Sequence, residues 1–209
     1  MITDRIAALK EELTKPLPGL KGQMQMAPTA MRPGRSDLLV RDSGVLILLY
    51  PVNELLHTVF MKRPEYGGHH SGQISFPGGK TEKGDRSLID TALRESHEEI
   101  GISAASVEVL GTLTPLTIPV SGFKVLPVVG YLPEKPRFIP DPAEVEYLIE
   151  VEMHRLMNAG IVKREILILG DQPVEVPYYD IDDHHVWGAT AMILSEFLEI
   201  VRQIEKSQT

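Results

Sequence analysis

The segment from Phe76 to Gly101 constrains the fold and the chemistry of this chain more than any other. A Phe-Pro-Gly-Gly turn at residues 76–79 is followed by a loop and then by one amphipathic helix. Asp85 can cap the start of that helix, because a short carboxylate accepts hydrogen bonds from the free amides of a first turn. Gly101 can end it, since glycine adopts the left-handed conformation at little cost. The segment therefore predicts a strand end, a turn, a loop and a helix.

Carboxylates are clustered on one side of the predicted helix. Glu95, Glu98 and Glu99 follow the i, i+3, i+4 spacing of neighbours on one face. Like charges at this spacing repel by roughly 0.2–0.5 kcal/mol per pair, and acids in a last turn oppose the helix dipole by about 0.3–1 kcal/mol each. Two interpretations follow: a divalent cation bound by carboxylate oxygens, or a solvated acidic face that salt screens. The adjacent apolar to small stripe consists of Ile89, Ala92, Leu93, Ser96 and Ile100.

Residues 79–102 resemble the Nudix box, the signature of hydrolases that act on diphosphates linked to another moiety. The matching residues are Gly79, Asp85 and the run Arg94-Glu95-Ser96-His97-Glu98-Glu99-Ile100-Gly101-Ile102. The chain departs from the family pattern in three places: Asp85 replaces a glutamate, Ser96 replaces an aliphatic residue, and one extra residue precedes Arg94. The longer spacing with an aspartate is similar to the coenzyme A pyrophosphatase branch of the family.

This resemblance implies an α/β fold, namely an α/β/α sandwich with a mixed β-sheet, and a diphosphatase that depends on Mg²⁺ or Mn²⁺. It implies that Arg94 orients the box glutamates, and that Glu98 or Glu144 acts as the general base. Glu144 lies where related enzymes often recruit an extra carboxylate, although Glu146 and Glu150 are also near. The metal ligands that it implies are Glu95, Glu98, Glu99 and the backbone carbonyl of Gly79.

The residues before the box are similar to a second signature, that of the coenzyme A pyrophosphatases. Arg63, Gly72 and residues 76–79 match in register, whereas Gly68 stands where a second arginine belongs. The implied substrate is coenzyme A or a derivative, cleaved to 3′,5′-ADP and a 4′-phosphopantetheine. Because Gly68 removes a phosphate ligand, another nucleoside diphosphate derivative such as ADP-ribose stays open, as does a non-catalytic Nudix-fold binding module. The substrate-binding candidates are Arg63, His70, Ser71, Gly78, Ser121 and Phe123.

Composition narrows the classes of partner. The net charge of −8 disfavours nucleic acid and an anionic membrane surface as partners, because both select for a basic patch. No cysteine is present, which excludes disulfides, thiolate zinc sites and thiol nucleophiles. Neither a secretory signal nor a membrane-spanning run is evident, so we expect a cytoplasmic protein with a small-molecule nucleotide diphosphate substrate. A homodimer stays open.

Hydrophobic periodicity predicts strands that alternate with helices, and hence a mixed sheet covered on both faces. We expect residues 1–40 to form a helix (residues 4–14) and an extended segment, packed on a hydrolase domain of residues 41–209. The strands are predicted at residues 45–50, 55–63, 73–76, 107–116, 123–132, 161–169 and 174–181. Residues 145–153 are predicted as a strand or a helix, residues 182–185 as an exposed loop, and residues 189–204 as a final helix.

Overall fold

The structure is a computed structural model that describes residues 1–29, 40–65, 72–119, 121–169 and 172–207. At the centre of its main sheet is β1 (Arg41–Val52). Residues 46–50 have 0% exposure, as expected of an uninterrupted apolar strand that is covered on both faces. The strand pairs antiparallel with β2 (Leu55–Lys62) and parallel with β7 (Phe123–Tyr131), so the sheet is mixed.

Five shorter strands complete this eight-stranded sheet. They are β3 (Ile74–Ser75), β4 (Gly78–Lys80), β5 (Glu108–Thr112), β6 (Leu116–Ile118) and β8 (Tyr147–Glu152). The strand order is β3-β2-β1-β7-β5, with β4 also on β1, β6 on β7 and β8 on β2. The single strand predicted at residues 107–116 is therefore wrong, since Leu113 to Pro115 separate β5 from β6.

Helices cover both faces of the main sheet. The side chains of Leu46 and Leu48 pack with α3 (Leu88–Ile100), whereas those of Ile47 and Leu49 pack with helices on the opposite side. The opposite helices are α1 (Ile2–Glu12) and α5 (Gly188–Ser207). The predicted α/β/α sandwich with a mixed sheet is thereby confirmed.

A second sheet has three antiparallel strands, β9 (Val162–Leu169), β10 (Gln172–Ile181) and β11 (His184–Trp187). The exposed loop predicted at residues 182–185 is only half right. Asp182 and Asp183 have φ values of 51° and 64° and form a two-residue hairpin turn, but His184 already begins β11. The short helix α4 (Met153–Leu156) connects β8 to this sheet.

The N-terminal residues 1–29 pack against α5. Ser195 on α5 donates to the carbonyl of Gly22 at 2.8 Å. The buried carboxylate of Glu196 accepts from Gln23 at 2.8 Å and from the amide of Gly19 at 3.1 Å. These contacts fix the helix α2 (Gly19–Gln23) and the 3₁₀ turn Met24–Met26 on the sandwich. The domain boundary at residue 40 stays a prediction, because residues 30–39 lie outside the described part.

No helix in the described part of the chain has the length and apolarity that crossing a membrane requires.

Candidate functional site

The two glycines of β4 allow the box helix to approach the sheet. Gly78 has a φ of 148°, and a Cβ there would lie 2.3 Å from the carbonyl oxygen of Gly44 on β1. A Cβ on Gly79 would lie 2.4 Å from the carboxylate carbon of Glu95. A side chain at Gly78 is therefore excluded by the backbone of the sheet, whereas a side chain at Gly79 would displace the carboxylate of Glu95.

Gly44 is another position where a side chain is excluded, and no sequence pattern predicted it. A Cβ at Gly44 would lie 2.3 Å from the carbonyl oxygen of Leu88, in the first turn of α3. Close packing of α3 on β1 thus depends on glycine at this strand position.

Helix α3 begins at Leu88 and is capped by Ser87, whose Oγ accepts from the amide of Asp90 at 3.1 Å. The prediction that Asp85 caps this helix is wrong, because the Asp85 carboxylate is bound elsewhere. The end is as predicted: Gly101 has a φ of 75°, in the left-handed region.

Asp85 instead fixes Arg94. Its carboxylate accepts from Nε and Nη2 of Arg94 at 3.0 and 3.1 Å, and from the Thr91 hydroxyl at 2.8 Å. The Arg94 guanidinium holds the pKa of Asp85 well below its usual range. Arg94 also donates to Glu95 at 3.1 Å and to Glu98 at 2.7 Å. This geometry fits the orienting role that the resemblance implies for Arg94, which stays a prediction.

Glu99 is bound from the sheet side. One carboxylate oxygen accepts from the amide of Gly78 at 2.7 Å, and the other from Arg63 at 2.9 Å. Arg63 also donates to the carbonyl oxygen of Gly78 at 2.9 Å. Burial raises the pKa of Glu99 to about 7, although Arg63 and the Gly78 amide act in the opposite direction. The Arg63 guanidinium is thus directed at a box glutamate and its neighbouring strand.

Three carboxylates converge at this point. Ligand oxygens of Glu95, Glu99 and Glu144 all lie within 4.8 Å of one another, with Glu99 buried, Glu95 half-buried and Glu144 exposed. Burial also raises the pKa of Glu95, against the opposing effect of Arg94, and the charges of Glu98 and Glu144 add to the rise.

The loop that carries Glu144 is tied to the end of α3. The amide of Asp141 donates to the carbonyl oxygen of Glu99 at 2.9 Å. The amide of Glu144 in turn donates to the carbonyl oxygen of Asp141 at 3.0 Å. On the other side, the amide of Glu146 donates to the carbonyl of Lys62 in β2 at 2.9 Å. These bonds fix the loop where the carboxylate of Glu144 meets the box helix.

The donor set suits a hard divalent cation. Mg²⁺ and Mn²⁺ prefer oxygen ligands, and three carboxylates within 4.8 Å provide them. Uncompensated carboxylates at such separations repel, and a cation would remove that repulsion. The site therefore fits the metal that the resemblance implies.

Glu98 lies apart from this group. Its side chain is 53% exposed and pairs with Arg94 on the solvent side of α3. Its predicted roles as metal ligand and general base stay predictions, as does the metal contact of the Gly79 carbonyl. His70 and Ser71 lie outside the described residues.

Ser121 and Phe123 lie at the start of β7, where two cations meet them. Arg41 donates to the carbonyl oxygen of Ser121 at 2.8 Å, and its Cζ lies 4.4 Å from the Phe123 ring centroid. The Nζ atom of Lys80 lies 6.0 Å from the same centroid. The sequence offered no signal for Arg41 or Lys80, because their proximity depends on strand pairing.

Comparisons with known proteins identify the family to which this chain is similar. A family model described as the NUDIX domain matches residues 40–168. A protein of Pectobacterium atrosepticum named uncharacterized Nudix hydrolase NudL is 37% identical over 182 residues, which cover 83% of this chain and 88% of the relative. A protein of the same name from Yersinia pestis (strain Pestoides F) is 36% identical over 168 residues, or 77% of this chain and 80% of the relative.

Among solved structures, the crystal structure of the Nudix hydrolase RenU from M. smegmatis is similar with a TM-score of 0.54. The match covers 85% of this chain and 97% of that chain at 15% identity. At this identity the likeness extends to the fold alone.

Proposed function

This chain belongs to the Nudix family of hydrolases that act on diphosphate bonds, and we propose that its substrate is coenzyme A or a derivative. The products of that reaction are 3′,5′-ADP and a 4′-phosphopantetheine. Members of the family generally use a divalent metal, and we propose Mg²⁺ or Mn²⁺ here.

The convergence of Glu95, Glu99 and Glu144 is the observation that supports the hydrolytic chemistry best. These three carboxylates would hold the cation, with the carbonyl of Gly79 as a further ligand by resemblance. A bound divalent cation neutralises charge on the diphosphate and lowers the pKa of a bound water.

The other groups of the site orient these carboxylates. Arg63 and the Gly78 amide each bind one oxygen of Glu99, and Arg94 binds Glu95 from the opposite side. Such fixed dipoles and charges keep the carboxylates in place before the substrate arrives. Arg63 thus contributes through Glu99, in addition to any contact that it makes with a phosphate.

Glu144 is the better-supported proton acceptor. Its carboxylate is exposed and has no side-chain hydrogen bond within the described ranges, whereas that of Glu98 accepts from Arg94 at 2.7 Å. Glu144 contributes one oxygen to the carboxylate cluster, which leaves its other oxygen as the proton acceptor. As the oxygen of water attacks phosphorus, the bridging P–O bond breaks, and the proton of water passes to that second oxygen of Glu144. Glu98 is the other candidate for this step.

The proposed substrate rests on the register of Arg63, Gly72 and residues 76–79 with the coenzyme A pyrophosphatase signature. Gly68 is the observation that favours the alternative, because a missing arginine weakens recognition of the second phosphate. ADP-ribose or another nucleoside diphosphate derivative would use the same carboxylates.

Mass spectrometry of the products tests this proposal. The purified protein is incubated with Mg²⁺ and either coenzyme A, ADP-ribose or diadenosine tetraphosphate, in ¹⁸O-labelled water. We expect 3′,5′-ADP and 4′-phosphopantetheine from coenzyme A, with one labelled oxygen, and no products from the Glu95→Gln variant. Cleavage of ADP-ribose with coenzyme A left intact would refute the proposed substrate, and inactivity on all three would favour a binding module.

A further inference from the structure

Two cations share one aromatic ring beside the box. Arg41, Lys80 and Phe123 form this cluster, which we call the cationic platform. Neither Arg41 nor Lys80 forms an ion pair with a carboxylate of the described residues, and both side chains are exposed. Two positive groups without a carboxylate partner among the described residues are notable in a chain whose net charge is −8.

The platform is continuous with the catalytic carboxylates. Lys80 follows Gly79 directly, and its carbonyl oxygen accepts from Arg94 at 2.8 Å while its Nζ faces Phe123. On β1, Arg41 pairs with Phe123, and Gly44 pairs with Gly79. Gly44 lies three residue steps along the strand from Arg41, a distance of about 10 Å that is comparable with the length of a nucleoside.

The chemistry of the platform fits a purine nucleotide that carries a second phosphate. The Phe123 ring offers a face on which a base can stack. Among the described residues, Arg41 uses one N–H on the carbonyl of Ser121, and the other donors of its planar guanidinium suit a phosphate. Lys80 adds a second point charge, with its Nζ atom 6.0 Å from the ring centroid.

We infer that Arg41 and Lys80 bind a phosphomonoester on the adenosine ribose of the substrate, remote from the diphosphate that is cleaved. This inference rests on the proposed function, because it assigns the 3′-phosphate of coenzyme A to the platform. The platform then acts as a specificity site, which distinguishes coenzyme A from its dephosphorylated form.

Nucleotide binding without metal tests the platform directly. The dissociation constants of 3′,5′-ADP and 5′-AMP are measured by calorimetry in EDTA, where the shared 5′-phosphate cancels from their ratio. We expect wild-type protein to bind 3′,5′-ADP about tenfold or more tightly than 5′-AMP, as a charge-assisted hydrogen bond provides. Arg41→Gln and Lys80→Gln should each remove most of that ratio and leave 5′-AMP binding unchanged.

Lys124→Gln is the matched control, since Lys124 is the exposed neighbour of Phe123 and alternation along β7 directs it to the other face. It makes the same change in net charge and should keep the wild-type ratio. A wild-type ratio near one, or an equal loss in Lys124→Gln, would overturn the inference in favour of a purely structural contact or a general electrostatic field.

Turnover separates this inference from the proposed function. With Mg²⁺, kcat/KM is compared for coenzyme A and dephospho-coenzyme A in the same four proteins. We expect a preference for coenzyme A that Arg41→Gln and Lys80→Gln reduce about tenfold each. If neither compound is cleaved, the proposed substrate is wrong, and the platform is tested only by the ratio of the dissociation constants of 5′-AMP and 3′,5′-ADP. Equal cleavage of both by all four proteins would contradict the platform and leave the proposed function intact.

Discussion

Glu99 gives the metal-free protein a dependence of stability on pH that a single substitution should remove. Its carboxyl is 1% exposed, and its pKa rises from the usual 4.5 to about 7 in the folded state. Between these two values the folded protein binds the proton more strongly than the unfolded chain does. Stability therefore falls as the pH rises through this window, and the full loss is reached above pH 7.

The size of the effect follows from the two pKa values. At 1.36 kcal/mol per pH unit, a rise from 4.5 to about 7 amounts to about 3 kcal/mol of unfolding free energy. Glu99→Gln cannot ionise, so it should lack this loss. The unfolding free energy of the variant minus that of the wild type should therefore increase by about 3 kcal/mol from pH 4.5 to pH 8. This change does not depend on the difference between the two proteins at pH 4.5.

Urea unfolding in EDTA at intervals from pH 4.5 to 8 measures this difference. The series starts above pH 3.8, the usual pKa of an aspartate, because the lowered pKa of Asp85 affects stability only below that pH. Glu98→Gln is the control, because its exposed ion pair with Arg94 contributes only about 0–1 kcal/mol. A wild-type curve that stays parallel to that of Glu99→Gln, or rises relative to it, would refute the argument that burial of Glu99 opposes its charge.

The remaining predictions concern the site. Glu144→Gln should lower kcat by about 10²-fold or more, as expected for a general base, and Glu98→Gln should do so less; the reverse order in steady-state assays would make Glu98 the base. Gly79→Ala should reduce kcat/KM about 10²-fold with little change in thermal unfolding, because its Cβ would displace Glu95 by about an ångström; wild-type activity would contradict this. Ser87→Ala should cost about 1 kcal/mol in urea unfolding and leave activity unchanged. Asp85→Asn should cost about 1.5–3 kcal/mol of unfolding free energy, as expected for hydrogen bonds to a charged group, and should also lower activity. Equal effects of Ser87→Ala and Asp85→Asn on both stability and activity would contradict the different roles of these two residues.

The sequence predicted the end of α3 but not its start. Gly101 was the only glycine near the end of the apolar stripe, and it adopts the left-handed conformation. At the start, Asp85 and Ser87 are both good caps, and local propensity does not rank them. The contact that decides between them is the pair of Asp85 with Arg94, which belongs to the packing of the loop against the helix.

Long-range features were predictable only where a resemblance supplied them. Glu144 was a candidate by resemblance, and its convergence with Glu95 depends on the loop that bonds to the end of α3. Periodicity predicted the strands at residues 161–169 and 174–181 but did not assign them to a separate sheet, because alternation within a strand does not identify its partner. For the same reason, periodicity could not predict the contacts of Arg41 and Gly44, which depend on how the strands pair.

The acids of the box differ in charge state because their surroundings differ. Glu99 is a buried residue and Asp85 a half-buried one, so burial raises the pKa of Glu99, whereas the hydrogen bonds from Arg94 lower that of Asp85. Arg94 gives Asp85 two parallel hydrogen bonds, whereas Glu99 receives one from Arg63 and one from a neutral amide. The negative charge of Asp85 is therefore balanced by Arg94 without a metal, whereas that of Glu99 is balanced only in part. A divalent cation bound by Glu95, Glu99 and Glu144 would supply the missing positive charge.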